Sequence, residues 1–377
     1  MAKERPSEKR PSAQPKYLDL KQGLLKAAGK AETTATAASE PPNNEQQAKM
    51  PPLGLPIRDD SPDKLYLPRD TKDAMASTLL AYTNQRVENF ALLLNKCALQ
   101  ECKQKKFDAH ESQNRFMLFR KGDEKKRIIE YRLSPNFHRV PLAVIRQRHT
   151  AAIRALCLEG TEKPLTCKVD WRLIVGLGNE SVYETSMTLH HIYGIPYIPG
   201  QAVKGVLRSW MIVEKFGMIH AEKNDGTGSK ETLDLDVAEK QALKDQGFCD
   251  IFGCPAEGSF YKEARQGKVY FFDAFPITLN KDSIQPDIMN PHYAPYYSEK
   301  KPPADYHNPI PVTFLTVQKT TFEFLFGLRK DDNKTITGGK FAERTPLQIV
   351  REELKNALSQ HGLGAKTAVG YGYFTEK

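Results

Sequence analysis

Gly362-Leu363-Gly364-Ala365-Lys366-Thr367-Ala368-Val369-Gly370-Tyr371-Gly372-Tyr373-Phe374 holds four glycines within eleven residues, with Lys366 and Thr367 at its centre. Upstream, Thr345 reads as a helix N-cap with Pro346 at the first helical position, and Leu347, Val350, Leu354 and Leu358 recur at helical spacing. Downstream, Tyr371–Phe374 reads as a strand. The chain therefore ends helix, glycine loop, strand. Glycine reaches positive φ without steric cost and lets a backbone approach a ligand closely, while a lysine and a threonine add a charge and a hydroxyl. Two readings follow: a phosphate-contacting loop, or a helix cap at Gly362 leading into a plain hairpin. The order G-x-x-x-x-G-K-[ST] entering a helix is absent, which excludes the nucleotide-binding P-loop.

A second stretch, His190-His191-Ile192-Tyr193-Gly194-Ile195-Pro196-Tyr197-Ile198-Pro199-Gly200-Gln201-Ala202-Val203-Lys204-Gly205-Val206-Leu207-Arg208, is a stiff proline/glycine loop releasing a helix at about Gln201. Val203, Val206, Leu207, Trp210 and Val213 form its buried stripe. Lys204 and Arg208, four apart, share the other face near the N-terminus, where free amides and the helix dipole favour anions. Exposed lysines and arginines are ordinary, but beside two glycine loops this pair favours RNA phosphate.

Before these stretches the chain changes texture twice. Residues 1–60 are polar and proline-rich, with Tyr17 their one aromatic, and read as a disordered arm. Residues 61–163 read as a basic helical region: Leu79, Leu80, Val87, Phe90 and Leu94 suggest helices over 71–121, and another spans 141–158 with Arg146, Arg148 and Arg154 opposite its apolar residues. After Pro164, Leu165–Leu177 alternates and then turns apolar, a strand entering a core. Val182–Leu189 reads as a second extended piece and Lys268–Ile277 as a buried strand, with Asp273 hydrogen-bonding a backbone turn. Thr313–Leu328 reads as two strands. Insertions are expected at about 222–247 (polar, one short helix) and 280–311 (rich in Pro, Tyr and His).

The formal charge of +9 is concentrated in the middle: net +2 over residues 1–60, +8 over 61–163 and −1 over 164–377. The body carrying both glycine loops is nearly neutral, so local geometry, not bulk charge, must explain any anion binding there. Six scattered cysteines make no disulfide framework; the Cys97/Cys102 and Cys249/Cys254 pairs lack the histidine spacing of a zinc site, so no metal is expected. No apolar run reaches membrane-spanning length, and a cytoplasmic protein is expected.

The order strand, loop, helix, strands, helix, strand predicts an α+β, ferredoxin-like (RRM-like) core with large insertions and an added N-terminal helical region. The aromatic stacking signature of RNA-recognition motifs is missing, so RNA contact is expected from the loops.

The two loops together resemble the RAMP superfamily of CRISPR-associated proteins. Within it, Trp171–Gly178, Thr188–His191, Phe271–Pro276, Asp287–Tyr293 and Pro311–Leu315 are similar to the sixth-subunit family of the type III-B (Cmr) effector complex. The resemblance covers about residues 165–374. It implies a non-catalytic RNA-binding subunit, with no cofactor, that holds the 3′-proximal part of the guide crRNA and caps the backbone filament of an antiviral ribonucleoprotein. Its partners would be guide crRNA, complementary target RNA and the other Cmr subunits (backbone, small and adjacent RAMP subunits). The RNA-binding candidates are Lys204, Arg208, His190, His191, Gln201, Gly362, Gly364, Lys366, Thr367 and Gly370. The alternative is a metal-independent endoribonuclease in which His190 and His191 supply acid–base chemistry.

Overall fold

The computed structural model describes residues 89–376 except 97–98, 102–114, 118, 122–128, 132–134, 136, 182, 184, 218, 223–229, 290–301 and 303–311. The expected arm over 1–60, residues 61–88, and most of the 280–311 insertion lie outside the described residues.

The core begins where the alternation begins. Leu165–Val169 (β1) turns Leu165, Cys167 and Val169 inward, the period of a strand with one buried face. Helix Gly200–Met211 (α1), strands Phe275–Pro276 (β2) and Thr321–Phe324 (β3), helix Pro346–Asn356 (α2) and strand Phe374–Glu376 (β4) follow. They make a four-stranded sheet in the order β2–β3–β1–β4, each neighbour antiparallel. The α+β class read from the sequence holds.

One face of this sheet carries Leu165, Cys167, Val169, Phe322, Phe324 and Phe374, with Phe374 edge-on to Phe322 at 6.4 Å and to Phe324 at 5.7 Å. The helix layer lies on this side: Lys355 of α2 pairs with Glu376, whose strand partner is Cys167. Thr345 caps α2 in a capping box with Gln348, and Pro346 occupies the first turn as predicted. The two helices are joined by one carboxylate. Glu353 of α2, 1% exposed, accepts from Trp210 Nε1 of α1 at 2.9 Å and pairs with Lys215 Nζ at 2.9 Å. The opposite face carries Glu323 and Phe275, directly paired across β3 and β2. It is covered by helix Leu142–Arg154, through Arg146 to Glu323 at 2.8 Å and His149 edge-on to Phe275 at 4.8 Å.

Several expectations are corrected. Of the helices expected over 71–121, Phe90–Lys96 is present, but the described residues over 99–131 are strands: Leu99–Glu101 pairs with Arg115–Met117, and Phe119–Lys121 with Ile129–Tyr131. Alternating aromatic and charged residues there fit a period of two as well as a helical one, and aromatic side chains favour the strand. Arg146 does not stand with the solvent-facing arginines, because Glu323 draws it onto the sheet, while Val144 and Leu156 are exposed. The described residues of 182–189 make no named strand, though Ser186 N and Thr188 N donate to Leu177 O and Val175 O and Leu189 bridges to Pro196. The expected 222–247 insertion is entered through a strand pair, Ile219–Glu222 with Lys230–Leu233, that precedes its helix. The segment after Asn280 is regular at first: Ile284–Met289 pairs along Val312–Gln318, which also pairs with Arg172–Leu173 in a second sheet. Pro286 is tolerated because that strand is an edge.

Removing the Glu353 carboxylate leaves a buried indole N–H and an ammonium without their partner. Glu353→Ala is expected to lower stability by about 3 kcal/mol, read as a shift in the urea midpoint; an unchanged midpoint would show that the helix layer does not depend on this junction.

Candidate nucleic-acid interface

The glycine loop is held against the end of β1 by its own backbone. Gly364 has φ +97, and a Cβ there would sit 2.1 Å from Ile174 O; Gly372 has φ +79, and a Cβ there would sit 2.0 Å from Leu363 O. These glycines serve backbone-to-backbone packing. Around them Ala365 N donates to Ile174 O (2.9 Å), Leu363 N to Gly372 O (2.8 Å), Gly372 N to Arg172 O (2.7 Å) and Asp170 N to Tyr373 O (2.9 Å). Gly362, at φ +81, ends the α2 helical run and is buried, with Thr367 Cγ2 and Tyr373 packed on it. The cap reading at Gly362 is therefore realised, while the close approaches the glycines permit are to the chain's own backbone, and several of the loop's amides are engaged internally.

What the loop presents outward is narrower than the sequence suggested. Lys366 sits in the left-handed region (φ 59), its Nζ 5.7 Å from the Phe314 ring, and is half-buried, as is Thr367. Ala368, Val369 and Gly370 are exposed; Gly370 (φ +98) has open space where a Cβ would stand. Beside them stands a group whose members the sequence placed only in three separate motifs. Tyr371 Oη donates to Asp287 Oδ2 at 2.7 Å, and Arg172 Nη1 donates to the same oxygen at 2.6 Å. Burial and then the Asp287 carboxylate push the Tyr371 hydroxyl up to about 12, so it remains a donor. Trp171 packs on Tyr371 with centroids 4.8 Å apart. Nothing local in the sequence marks their juxtaposition, since they come together only through long-range pairing.

The α1 stretch is changed more. Asp273 Oδ1 accepts from Gly200 N at 2.8 Å, as its reading as a turn ligand predicted, and Gly200 itself lacks room for a Cβ, which would meet Phe271 O at 2.4 Å. The start of α1 thus holds the chain's own carboxylate, which already meets the positive end of the helix dipole. Arg208 is committed as well: Nη2 pairs with Glu239 Oε1 at 2.6 Å, and the guanidinium lies 5.5 Å from the Phe248 ring. Lys204 is half-buried, and burial, then the Arg208 charge, lower its ammonium from the usual value. Gln201 is exposed in the first turn. Lys204 and Arg208 share a face, but not as two equivalent phosphate hooks.

His190 and His191 pack on the other side of the sheet. The His190 ring stacks on His191 (5.5 Å) and Tyr193 (4.6 Å) and leans on Phe275, the residue that His149 also contacts. Its Nδ1 accepts from Tyr193 N at 3.4 Å. Burial, then the neighbouring His191, lower the His190 pKa, so its neutral form is favoured. Asn89 fixes this loop from outside by donating to the carbonyls of His191 and Ile192, each at 3.0 Å. The sheet therefore separates the histidine pair from the helix layer that leads into the glycine loop. Asp250, another carboxylate of the core, is tied to Tyr261 (2.7 Å) and Lys268 (2.8 Å). Among the described residues, no helix is long and apolar enough to cross a membrane.

A family model of the RAMP superfamily matches residues 166–375. The chain is 37% identical over 240 residues to CRISPR system Cmr subunit Cmr6 of Pyrococcus furiosus, a match covering 55% of this chain and 66% of that protein. It is 27% identical over 207 residues to the Cmr6 subunit of Saccharolobus solfataricus, covering 54% of each. The matches thus span just under two thirds and about half of these relatives' lengths. Among solved structures, the crystal structure of Cmr6 from Pyrococcus furiosus is similar with TM-score 0.32 and 31% identity, covering 57% of this chain and 97% of that one. The cryo-EM structure of type III-B Cmr-beta bound to cognate target RNA gives TM-score 0.43 and 22% identity, covering 65% and 69%.

Because Gly364 and Gly372 face carbonyl oxygens while Gly370 faces open space, alanine discriminates among them. Gly370→Ala is expected to cost about 1 kcal/mol, the left-handed penalty alone. Gly364→Ala and Gly372→Ala should each cost about 3 kcal/mol or more, since backbone must also shift. Thermal unfolding of the three variants checks this, and equal losses would contradict it.

Proposed function

The chain belongs to the RAMP superfamily, and from that premise we propose that it is a non-catalytic RNA-binding subunit of a type III-B CRISPR effector complex. It holds the 3′-proximal part of the guide RNA and caps the backbone filament for antiviral defence. The observation that carries this reading is the 37% identity to a Cmr6 subunit over 240 residues, a stretch long enough to include the whole four-stranded sheet. The sheet order β2–β3–β1–β4, with α1 and α2 as its connections, supports a ferredoxin-like core. The partners in this reading are guide crRNA, complementary target RNA and neighbouring Cmr subunits. RNA meets the protein at the exposed rim of the glycine loop, with Lys366 the main charge there; Lys204 on α1 is a second contact, and Arg208, already paired, contributes less.

The geometry of the histidine pair supports a subunit without cleavage chemistry of its own. A general base must reach a substrate hydroxyl. The half-buried His190 ring is instead flanked by His191, Tyr193, Tyr197 and Phe275, and its Nδ1 is used by a backbone amide. His191 is exposed, and a metal-independent endoribonuclease built on it and His190 is the alternative.

One assay addresses both readings. Labelled single-stranded guide-repeat RNA is incubated with the full chain, and affinity is followed against salt. Lys366→Ala and Lys204→Ala are each expected to reduce the slope of log affinity against log salt by about 1, with Arg208→Ala changing it less and the RNA staying intact. Unchanged slopes for both lysine variants would reject the phosphate contacts. Specific cleavage that disappears in His190→Ala or His191→Ala would establish the endoribonuclease instead.

A further inference from the structure

Trp171 is the second residue after β1, and the glycine loop grips the backbone on both sides of it. Asp170 N donates to Tyr373 O at 2.9 Å, and Gly372 N donates to Arg172 O at 2.7 Å. A residue held at both flanks has little freedom of placement. The residue is nevertheless 49% exposed, whereas the chain's other tryptophan, Trp210, is 2% exposed. Tyr371 packs against the indole at 4.8 Å and the Arg172 guanidinium lies 5.4 Å from its centroid. Both supports are anchored on a single atom, Asp287 Oδ2. Phe314, which carries Lys366 Nζ at 5.7 Å, lies edge-on to Tyr371 at 6.0 Å. The result is a rigidly mounted, open aromatic surface adjoining an exposed loop rim and its cation.

We propose that the exposed indole of Trp171 is a stacking platform for one nucleobase of single-stranded RNA, whose phosphate is met by Lys366. The proposal rests on the RNA-binding reading above and adds the site of base contact. Stacking suits this place because every base has a π-face, so the platform accepts any guide sequence, and a backed ring needs no reorganisation to receive a base. The Arg172 guanidinium, fixed by Asp287, adds a cation at the ring and orients it without being consumed in an ion pair with phosphate.

Two tryptophans with opposite exposure make the test direct. The full chain is titrated with a short oligouridylate and with the matched abasic oligomer, while tryptophan emission and the anisotropy of the labelled oligomer are followed together. Oligouridylate is expected to quench emission and the abasic oligomer to leave it unchanged while binding about tenfold more weakly. Trp171→Ala should lose the quench and bind oligouridylate about tenfold more weakly, no better than it binds the abasic oligomer. Trp171→Phe should recover most of the affinity, and the remaining emission of buried Trp210 reports that each variant is folded. Unchanged emission at saturation, or full affinity in Trp171→Ala, overturns the platform. If oligouridylate binding is then still weakened by Lys366→Ala, the RNA-binding reading stands without it. If the chain binds neither oligomer, both fall. Loss of co-purification with other subunits in Trp171→Ala, with RNA affinity intact, would overturn the proposal in favour of a protein contact.

Discussion

Two backbone approaches that only glycine permits organise the functional end of this molecule. Gly364 lies on the carbonyl of Ile174 and Gly372 on the carbonyl of Leu363, so the loop after α2 folds flat onto the residues leaving β1. From that contact follow the hydrogen bonds at Asp170 and Arg172, the presentation of Trp171 and the exposure of Val369 and Gly370. A loop read first as a phosphate cradle is foremost a clasp. Its internal hydrogen bonds make it rigid, and rigidity is what a recognition surface needs if binding is not to cost further ordering.

The helix layer supports the clasp from behind. Glu353 draws Trp210 and Lys215 of the first helical run to α2, and Ser209 meets His361 at 3.1 Å where the α2 run ends at Gly362. Electrostatics near α1 are then largely settled within the chain: Asp273 occupies the helix start and Glu239 occupies Arg208. In a body of net charge −1 over residues 164–377, bulk charge does not favour a polyanion, so the local placement of Lys366 carries weight in the proposed binding. In the proposed role, shape and stacking would share the work that bulk charge does in more basic RNA-binding proteins.

What could be read from the sequence was what local periodicity and capping chemistry specify. The alternation of Leu165, Cys167 and Val169, the stripe of α1, the Thr345–Pro346 cap and the break at Gly362 are each written within a few residues. The α+β order follows from them. Pairings across long stretches of chain were not legible. Arg208 meets Glu239 thirty-one residues away, Arg146 meets Glu323 across 177, and Tyr371 meets Asp287 across 84. Each such pairing changes the role of a charge that looks free in one dimension. Trp171 was hidden for the same reason. It sits in a run that reads as a strand entering the core, and only the return of the glycine loop past Asp170 and Arg172 fixes it at the surface.

The central claim is that RNA meets this chain at the glycine clasp and not at the histidine loop or the basic strands over residues 99–131. Zero-length ultraviolet crosslinking of single-stranded guide-repeat RNA to the full chain, followed by peptide mapping, tests this most directly. The account predicts adducts concentrated on the peptides carrying Trp171–Arg172 and Lys366–Tyr371. Adducts confined to residues 99–131 or to His190–Tyr197, with the clasp peptides unmodified, would contradict it.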